Sequence, residues 1–374
     1  MFSVRAACAR LKGGSSGKPA KNKTIVLIDG REVDKKRGMG HFLRELLFNI
    51  NENCSGDEFT YVCVIPKSSK HDVKTRLDNI TFIRFWLPDP IVWEQCLVPV
   101  CALYIHADWI ICPYNTFPLL KPVRARRVII YHDLIFLQYR RIKSNWKLAV
   151  GNRYRATLFK YLSGKDIILT VSDYSRELIG RFALRNATVI GNDINHLREL
   201  FSASPSIEPP YFLHVGGDAS TKNSALVLAA YRLARSRSAR KLPRLIVIGV
   251  SPSYAVRLQN GQQREPDIEF RFHVSDVEKC RLFANTVAVV FPSLKEGFGL
   301  PIIEAHACGR RVVTSKRRPL SDLSGPGDIL VSPSSQEEIA AAFARVAEEA
   351  KAPDHTSGLW APPDQYQVLR SVLV

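Results

Sequence analysis

The stretch that decides the fold is residues 291–309, FPSLKEGFGLPIIEAHACG. The apolar run at residues 286–291 has the length and the β-branched content of a buried strand, and residues 301–308 predict a short helix with proline in its first turn. Two glycines in the intervening loop, residues 296–299, let the backbone approach a ligand closely, and the unpaired N–H groups at the start of the helix favour an anion. The pattern therefore predicts a phosphate site between a strand and a helix.

Two glutamates, Glu296 and Glu304, flank this predicted phosphate site with seven residues between them. Because carboxylates repel a phosphate, we expect their partners to be neutral hydroxyls, which they bind by charge-assisted hydrogen bonds. A ligand with hydroxyls on both sides of a diphosphate is a nucleotide sugar. The alternative interpretation is that both glutamates are solvated surface charges and the glycines only turn the chain.

The string EGFGLPIIEA, directly after a strand that ends in FPS, resembles the donor-site motif of retaining family 4 glycosyltransferases of GT-B architecture, the glycosyl transferases group 1, mannosyltransferases included. The resemblance implies an α/β protein with two Rossmann-like domains whose parallel sheets face each other across a cleft. It also implies that the second domain holds most of the nucleotide sugar and that the first domain holds the acceptor.

By this resemblance, Glu296 holds hydroxyls of the donor sugar and Glu304 holds the ribose. The residues between them that complete the implied donor site are Gly297, Phe298, Gly299 and Leu300.

Length and charge limit the class of protein. A chain of 374 residues is long enough for two domains with cores of their own. Its net charge of +18 suits nucleic acid, an anionic membrane face or a phosphorylated substrate, unless it reflects compositional bias alone. Its eight cysteines form no C-x-x-C pair, which is typical of reduced core cysteines in a cytosolic protein.

Changes of composition divide the chain into five parts. We expect a disordered basic lead at residues 1–23, an acceptor domain at 24–195 and a linker at 196–210, which contains SASPSIEPP. The donor domain follows at 211–350. Family members continue into a helix that crosses back to the first domain, but residues 351–374 do not match that pattern well and are assigned as an atypical tail.

A glycine loop formed by Gly38, Met39 and Gly40 separates the first predicted strand, at residues 24–29, from a predicted helix. Strand, glycine loop and helix are the opening of a nucleotide-type α/β domain. By resemblance, this loop lies over the donor diphosphate and the acceptor. A plain tight turn explains the two glycines equally well.

His132 follows the predicted strand at residues 127–131, in the sequence HDLI. A histidine at the end of a strand can be structural. The resemblance to the family's H-D segment implies that His132 lies near the donor sugar and the acceptor hydroxyl.

Lys222 is the next-to-last residue of the turn GGDASTKN, residues 216–223, before a predicted helix. A cation at a helix N-terminus opposes the helix dipole unless an anion also binds there, although a solvated lysine is the simpler alternative. By resemblance, Lys222 binds the donor diphosphate beside Gly216 and Gly217. The arginine that often accompanies this lysine is missing, because Gly217 and Thr221 occupy its expected places.

The implied reaction transfers a hexosyl group from a GDP- or UDP-linked donor to a hydroxyl of a lipid-linked or polysaccharide acceptor, with retention at the anomeric carbon. The catalytic residues implied are Glu296, His132 and Lys222. Lys222, the backbone amides and the helix dipole can stabilise charge on the leaving diphosphate. Since the chain also lacks a D-x-D sequence, we expect no metal and no other cofactor.

The alternative function is an inactive GT-B scaffold that binds polyanions or membranes. The missing arginine and the atypical tail favour it. The intact glutamate pair favours the enzyme, and the chain has no recognised nucleic-acid motif, so we expect no nucleic acid partner.

A basic stretch with aromatic residues, about residues 140–161, suits a helix that lies on anionic lipid, or an ordinary helix whose aromatic side is in the core. We expect a cytoplasmic protein that is peripheral on the inner face of the membrane.

Overall fold

The computed structural model describes residues 23–35, 38–56, 58–69, 77–138, 146–194, 209–239, 241–259, 265–349 and 363–374. The expected lead, apart from its last residue, most of the expected linker and the first part of the expected tail lie outside these ranges. The chain forms two compact units, Met1–Asp193 with Pro362–Val374, and Ile194–Ala361.

The first unit is built on a seven-stranded parallel sheet with the order β3-β2-β1-β4-β5-β6-β7. Its strands are β1 (Thr24–Asp29), β2 (Phe59–Pro66), β3 (Ile80–Phe85), β4 (Trp109–Cys112), β5 (Arg126–Tyr131), β6 (Ile167–Thr170) and β7 (Thr188–Val189). The order reverses between β1 and β4, and ligands of α/β sheets bind beyond the carboxyl ends of the strands at such a switch point.

Helices connect these strands: α1 (Met39–Asn53), α2 (Pro90–Val92), which continues through a π-helical turn (Trp93–Leu97) into α3 (Val98–Tyr104), then α4 (Ile135–Gln138), α5 (Trp146–Lys160) and α6 (Asp173–Ala183). Capping residues fix where helices begin, since Asp89 accepts hydrogen bonds from two backbone N–H groups of α2, and Ser172 from one of α6. The inner faces of the helices bury leucine, isoleucine and phenylalanine against the sheet, for example Leu46 and Ile50 of α1.

The second unit has a six-stranded parallel sheet with the order β10-β9-β8-β11-β12-β13. Its strands are β8 (Tyr211–Val215), β9 (Arg244–Ile248), β10 (Ile268–Arg271), β11 (Ala288–Phe291), β12 (Val312–Ser315) and β13 (Ile329–Val331), and its helices are α7 (Ser224–Arg237), α8 (Pro252–Leu258), α9 (Asp276–Asn285), α10 (Leu300–Ala307) and α11 (Gln336–Glu348). The switch point lies between β8 and β11.

Helix α11 closes the core of the second unit through one aromatic residue. Phe343 meets Phe212 of β8 and Tyr231 of α7 edge to face, with ring centroids 4.8 Å and 5.3 Å apart. Such pairs contribute about 0.5–1.5 kcal/mol beyond the area that they bury. The α/β class and the two Rossmann-like units with parallel sheets that the sequence predicts are therefore confirmed.

The last helix, α12 (Gln365–Leu373), belongs to the first unit and packs on α1. Asn49 of α1 donates a 3.0 Å hydrogen bond to the Gln365 side chain, and Leu369 is fully buried. The structure thus differs from the sequence analysis, in which residues 351–374 are an atypical tail. Both prolines of the Pro-Pro pair precede the helix, where proline does not break hydrogen bonding, so the pair does not exclude a returning helix.

None of the helices in the described part of the chain is long and apolar enough to cross a membrane.

Candidate active site

Two loops border the switch point of the second unit: residues 216–223 after β8, and residues 292–299 after β11. Leu294 donates a backbone hydrogen bond of 2.8 Å to Thr221, and the Asn223 side chain donates one of 3.0 Å to the first carbonyl of the second loop. The two motifs that the resemblance rests on are more than 70 residues apart in sequence, and the fold brings them together.

Glycine is required where these loops turn. Gly299 has φ 139°, which side chains rarely allow, and a Cβ there would lie 2.7 Å from Leu320 Cδ2. A Cβ on Gly216 would lie 2.6 Å from Ser224 Oγ. At Gly216 and Gly299, the backbone therefore lies closer to neighbouring side chains than a residue with a Cβ would permit.

The remaining loop residues contribute mainly backbone. The Phe298 side chain is buried, so its ring is not available to a ligand at the surface. Leu300 begins α10. Gly217 lies against the aliphatic stem of Lys222, where a Cβ would come within 2.9 Å of Cγ.

Lys222 and Glu296, one from each loop, form an ion pair with 2.7 Å between Nζ and Oε1. Lys222 Nζ also lies 5.2 Å from the centroid of the Phe291 ring. The Lys222 side chain stays 31% exposed. The cation that would oppose the dipole of α7 is thus compensated by a carboxylate, and it is exposed enough to exchange that partner for another anion.

Glu304 of α10 is 1% exposed, and its Oε1 accepts a hydrogen bond from Lys279 of α9. Its other oxygen, Oε2, is buried without a hydrogen-bond partner among the described residues. An unsatisfied buried acceptor costs about 1–3 kcal/mol. A hydroxyl donor at this oxygen would remove that cost.

Lys279 is a residue that the sequence analysis missed. It lies in a helix that reads as an ordinary amphipathic one, and no motif includes it. Its partner Glu304 is 25 residues away in sequence, so only the packing of α9 against α10 reveals the pair.

His214, a buried residue of β8, supports the candidate site of the second unit through two hydrogen bonds. Its Nδ1 donates to the carbonyl of Val290 at 2.7 Å, which leaves Nε2 to accept from the Ser224 hydroxyl at 3.0 Å. Burial lowers the pKa of His214 to about 4, so the ring is neutral at pH 7. This histidine joins β8, β11 and the start of α7, and the sequence analysis did not identify it.

In the first unit, the predicted glycine loop forms the start of α1. Gly38 has φ 56°, and a Cβ on Gly40 would collide with the carbonyl oxygen of Lys35. Gly40 therefore has a packing role that is independent of any ligand. The ligand contacts expected for Gly38, Met39 and Gly40 stay a prediction, and residues 36 and 37, which precede them, lie outside the described ranges.

His132 stands at the end of β5, next to the switch point of the first unit. Its Nε2 lies 2.8 Å from the carbonyl of Pro113, which can only accept, so Nε2 carries the proton and Nδ1 has the lone pair. Asn115 fixes the backbone by accepting from His132 N at 2.6 Å. Burial lowers the pKa of His132 to about 4. The side chain is thus a neutral hydrogen-bond acceptor.

A buried charge network at the end of β1 was also missed by the sequence analysis. Arg31 lies between Glu94, at 2.5 Å, and Asp29, at 3.3 Å, and donates to Thr116 at 2.7 Å. Burial raises the pKa of Asp29, and the Arg31 charge opposes that shift. The partners of Arg31 come from three separate parts of the chain, so no local sequence pattern predicts this network.

Two aromatic residues of the basic stretch around α5 face inward. Phe159 is buried, and the Tyr154 hydroxyl donates to Glu94 at 2.6 Å. For these two residues the structure shows the core packing that was one of the two alternatives. The basic residues Arg140, Arg141 and Lys143 lie outside the described ranges.

Within the described ranges, no group of three or more histidine, cysteine, aspartate or glutamate side chains is placed to hold a metal ion.

Residues 198–357 match the family model for glycosyl transferases group 1. The chain is 29% identical to the O-antigen chain mannosyltransferase B of Escherichia coli over 199 residues, half of this chain and 52% of the relative. It is 38% identical over 76 residues to the MMP alpha-(1->4)-mannosyltransferase of Mycolicibacterium hassiacum, 20% of this chain and 18% of the relative. The chain thus spans about half the length of the first relative and less of the second.

Solved structures share the whole fold. HepE of Anabaena, in complex with UDP and glucose, aligns with a TM-score of 0.68 at 17% identity, over 94% of this chain and 98% of its own. WaaG, a glycosyltransferase involved in lipopolysaccharide biosynthesis, aligns with a TM-score of 0.62 at 14% identity, over 92% of this chain and 99% of its own.

The chain therefore has the GT-B fold of glycosyltransferases. Residues 198–357 are similar to the glycosyl transferases group 1, and the curated relatives are mannosyltransferases, so the family resemblance predicted from the sequence motif is confirmed.

Proposed function

We propose that the protein is a retaining glycosyltransferase that moves a hexosyl group, in the first place mannosyl, from a nucleotide-diphosphate sugar to a hydroxyl of a lipid-linked or polysaccharide acceptor. The observation that carries the proposal is the pairing of both motif glutamates with lysines beside the switch point of the second unit. Each pair offers a carboxylate for hydroxyls and a cation for phosphate or for a hydroxyl oxygen.

Donor binding would exchange partners at the Lys222–Glu296 pair. A diphosphate carries more negative charge than one carboxylate and attracts the ammonium more strongly at equal distance. Lys222 would then bind the diphosphate, and Glu296 would accept hydrogen bonds from the sugar. In this scheme the lysine compensates the glutamate until the donor arrives.

The ribose would bind at the second pair. One ribose hydroxyl would donate to the orphaned Oε2 of Glu304, while Lys279 keeps its contact with Oε1. Because the carboxylate is buried, a small movement of the surrounding side chains has to accompany binding. The gain is a charge-assisted hydrogen bond at an oxygen that otherwise has none.

The glycosyl transfer step would depend on stabilisation of negative charge on the diphosphate and not on a nucleophile supplied by the protein. As the bond between the anomeric carbon and the diphosphate oxygen breaks, the acceptor oxygen would bond to that carbon. Negative charge grows on the leaving diphosphate, which would take up the proton of the acceptor hydroxyl. Lys222, the backbone N–H groups at residues 297–300 and the positive end of α10 are donors suited to that charge. Neutral His132 would accept a hydrogen bond from the acceptor or the donor sugar through Nδ1. We propose that the reaction needs no metal.

The mannosyl proposal rests on the curated relatives, which are mannosyltransferases, whereas HepE was solved with UDP and glucose. One experiment identifies both the sugar and the nucleotide base of the donor. The protein is incubated with GDP-mannose, UDP-glucose and UDP-galactose, a set of oligosaccharide acceptors, and EDTA. We expect transfer from one donor, with an α-configured product by NMR. A β-configured product contradicts retention, and a requirement for divalent metal contradicts the metal-independent scheme.

We also propose that the protein lies on an anionic membrane surface. The solvent side of the helical segment from Pro90 to Tyr104 exposes Val92, Val100 and Leu103, which are 43%, 62% and 63% exposed. Apolar side chains combined with a net charge of +18 suit an anionic bilayer face.

A further inference from the structure

The first unit contains a cavity of about 340 Å³ at the carboxyl ends of β2 and β3. The side chains that give it its chemistry are Arg31, Glu32, Lys35, Trp86 and Trp93. Three prolines form much of the remaining wall: Pro66, Pro88 and Pro90. Neither the sequence motifs nor the proposed donor chemistry accounts for this cavity.

Part of the cavity wall is held by contacts within the first unit. The Arg31 side chain is only 10% exposed, and its guanidinium is held by Glu94, Asp29 and Thr116, with Cζ 4.9 Å from the centroid of the Tyr114 ring. The three prolines have fixed φ angles. A preformed cavity binds its ligand without the entropy cost of ordering the wall.

The charges around the cavity do not favour an anion. Both cations that line it are already paired: Lys35 with Glu32, another lining residue, at 2.5 Å, and Arg31 with Asp29 and Glu94, which do not line the cavity. The cavity therefore does not share the positive charge of the chain as a whole. Paired charges of this kind suit a neutral ligand with several hydroxyls, to which they donate and from which they accept.

Trp86 adds an apolar platform. It follows β3, lines the cavity and is 78% exposed, although tryptophan is among the residues that gain most from burial. The face of an indole ring carries partial negative charge and attracts the C–H bonds on one side of a sugar ring. An exposed aromatic face beside paired polar groups is a combination that fits a hexose.

We infer that this cavity is a subsite for a neutral sugar residue of the acceptor, remote from the reacting hydroxyl. The switch point lies between β1 and β4, whereas the cavity lies at β2 and β3, and strands are about 4.8 Å apart, so the cavity is displaced by about two strand spacings. The inference rests on the proposed glycosyl transfer. It implies that the acceptor is an oligosaccharide chain and not a single sugar.

The test uses the full chain in four forms: the natural protein, Trp86→Ala, Trp86→Phe and Leu120→Ala. Leu120 is a matched control, because it is 77% exposed in the same unit and does not line the cavity. Fluorescently labelled protein is applied to an array of neutral oligosaccharides of mannose, glucose, galactose and N-acetylhexosamines. The sugar that binds best is then titrated in solution, and the affinity of each variant for nucleotide is measured in parallel.

We expect Trp86→Ala to weaken oligosaccharide binding about tenfold, Trp86→Phe to keep part of the affinity, and Leu120→Ala to change nothing. Full-strength binding by Trp86→Ala, binding of no oligosaccharide on the array, or tighter binding of uronic-acid or phosphorylated chains than of neutral ones would overturn the assignment. Nucleotide affinity should be equal in all four forms. If no form binds nucleotide but Trp86 still controls oligosaccharide binding, the transferase proposal fails, and the cavity is a sugar-binding site without the acceptor role assigned to it.

Discussion

Glu304 combines two features that are rarely left together, a fully buried carboxylate and an oxygen without a hydrogen-bond partner among the described residues. Lys279 compensates its charge through the other oxygen. The free energy lost at the orphaned oxygen could be recovered by a ligand hydroxyl, which is why we assign the ribose to this place. The lysine is then a positioning residue, since it holds the carboxylate that touches the ligand.

Lys279→Met tests this arrangement. The substitution keeps the aliphatic stem and removes the cation, so Glu304 becomes a buried charge without compensation. We expect the free energy of unfolding to fall by about 1–3 kcal/mol and nucleotide affinity to fall with it. Urea unfolding and calorimetry measure the two quantities. The double variant Lys279→Met/Glu304→Gln should regain stability but not affinity, and if Lys279→Met alone keeps both, Lys279 has no positioning role.

Titration of His132 gives a prediction about pH. Burial lowers its pKa to about 4, whereas the unfolded chain has the ordinary value of about 6.5. Between these values the unfolded state binds more protons, so His132 makes the first unit lose stability as the pH falls from about 7 to 4, by about 1–3 kcal/mol. His132→Gln should flatten the pH dependence of unfolding over this window. An equally steep profile in the variant would contradict the assigned neutral state.

At the scale of elements, the strands and the two motif loops could be predicted from the sequence because their signals are local. Residues 286–291 predict a strand by composition, and β11 (Ala288–Phe291) lies within that range. Helix α12 could not be predicted so well, because its nine residues bury only a few apolar side chains and its register is set by contact with α1. Lys279 and Arg31 were not predicted for the same reason, since Glu304, Glu94 and Thr116, with which they pair, are distant from them in sequence.

Gly299→Ala tests the turn that starts α10. The Cβ would enter a positive φ region and lie 2.7 Å from Leu320 Cδ2, so the start of the helix has to move. We expect about 1–3 kcal/mol of destabilisation, together with weaker nucleotide binding, by thermal unfolding and calorimetry. Gly164→Ala is the control, because its Cβ would meet nothing closer than 3.9 Å. Equal behaviour of the two variants would show that the turn tolerates a side chain.

At the scale of the whole molecule, the chain combines a net charge of +18 with an apolar helix surface in the first unit. Charge of this size attracts anionic surfaces over about one Debye length, roughly 8 Å at physiological salt. Attraction alone does not select a membrane over a polyanion. The exposed apolar side chains provide that selection, because a bilayer can bury them and a hydrated polyanion cannot.

Leu103→Glu separates the two cases. A carboxylate at this 63% exposed position would oppose both burial and the anionic lipid charge. We expect co-sedimentation with vesicles that contain phosphatidylglycerol to fall about tenfold, with binding to neutral phosphatidylcholine vesicles weak in both proteins. Val256→Glu, at a 62% exposed position of the second unit, is the control. Equal sedimentation of the two variants would contradict docking through this helix.

The central claim is that the second unit holds a nucleotide diphosphate at Lys222 without metal. Calorimetric titration of GDP, UDP and ADP in EDTA tests it directly, on the natural protein, on Lys222→Ala and on Lys316→Ala, an exposed lysine of the same unit. We expect one nucleotide to bind, and Lys222→Ala to weaken it at least about tenfold while Lys316→Ala does not. Binding of none of the three, or equal affinity in Lys222→Ala, would contradict the account. Salt-sensitive binding of polyanions would then favour an inactive scaffold.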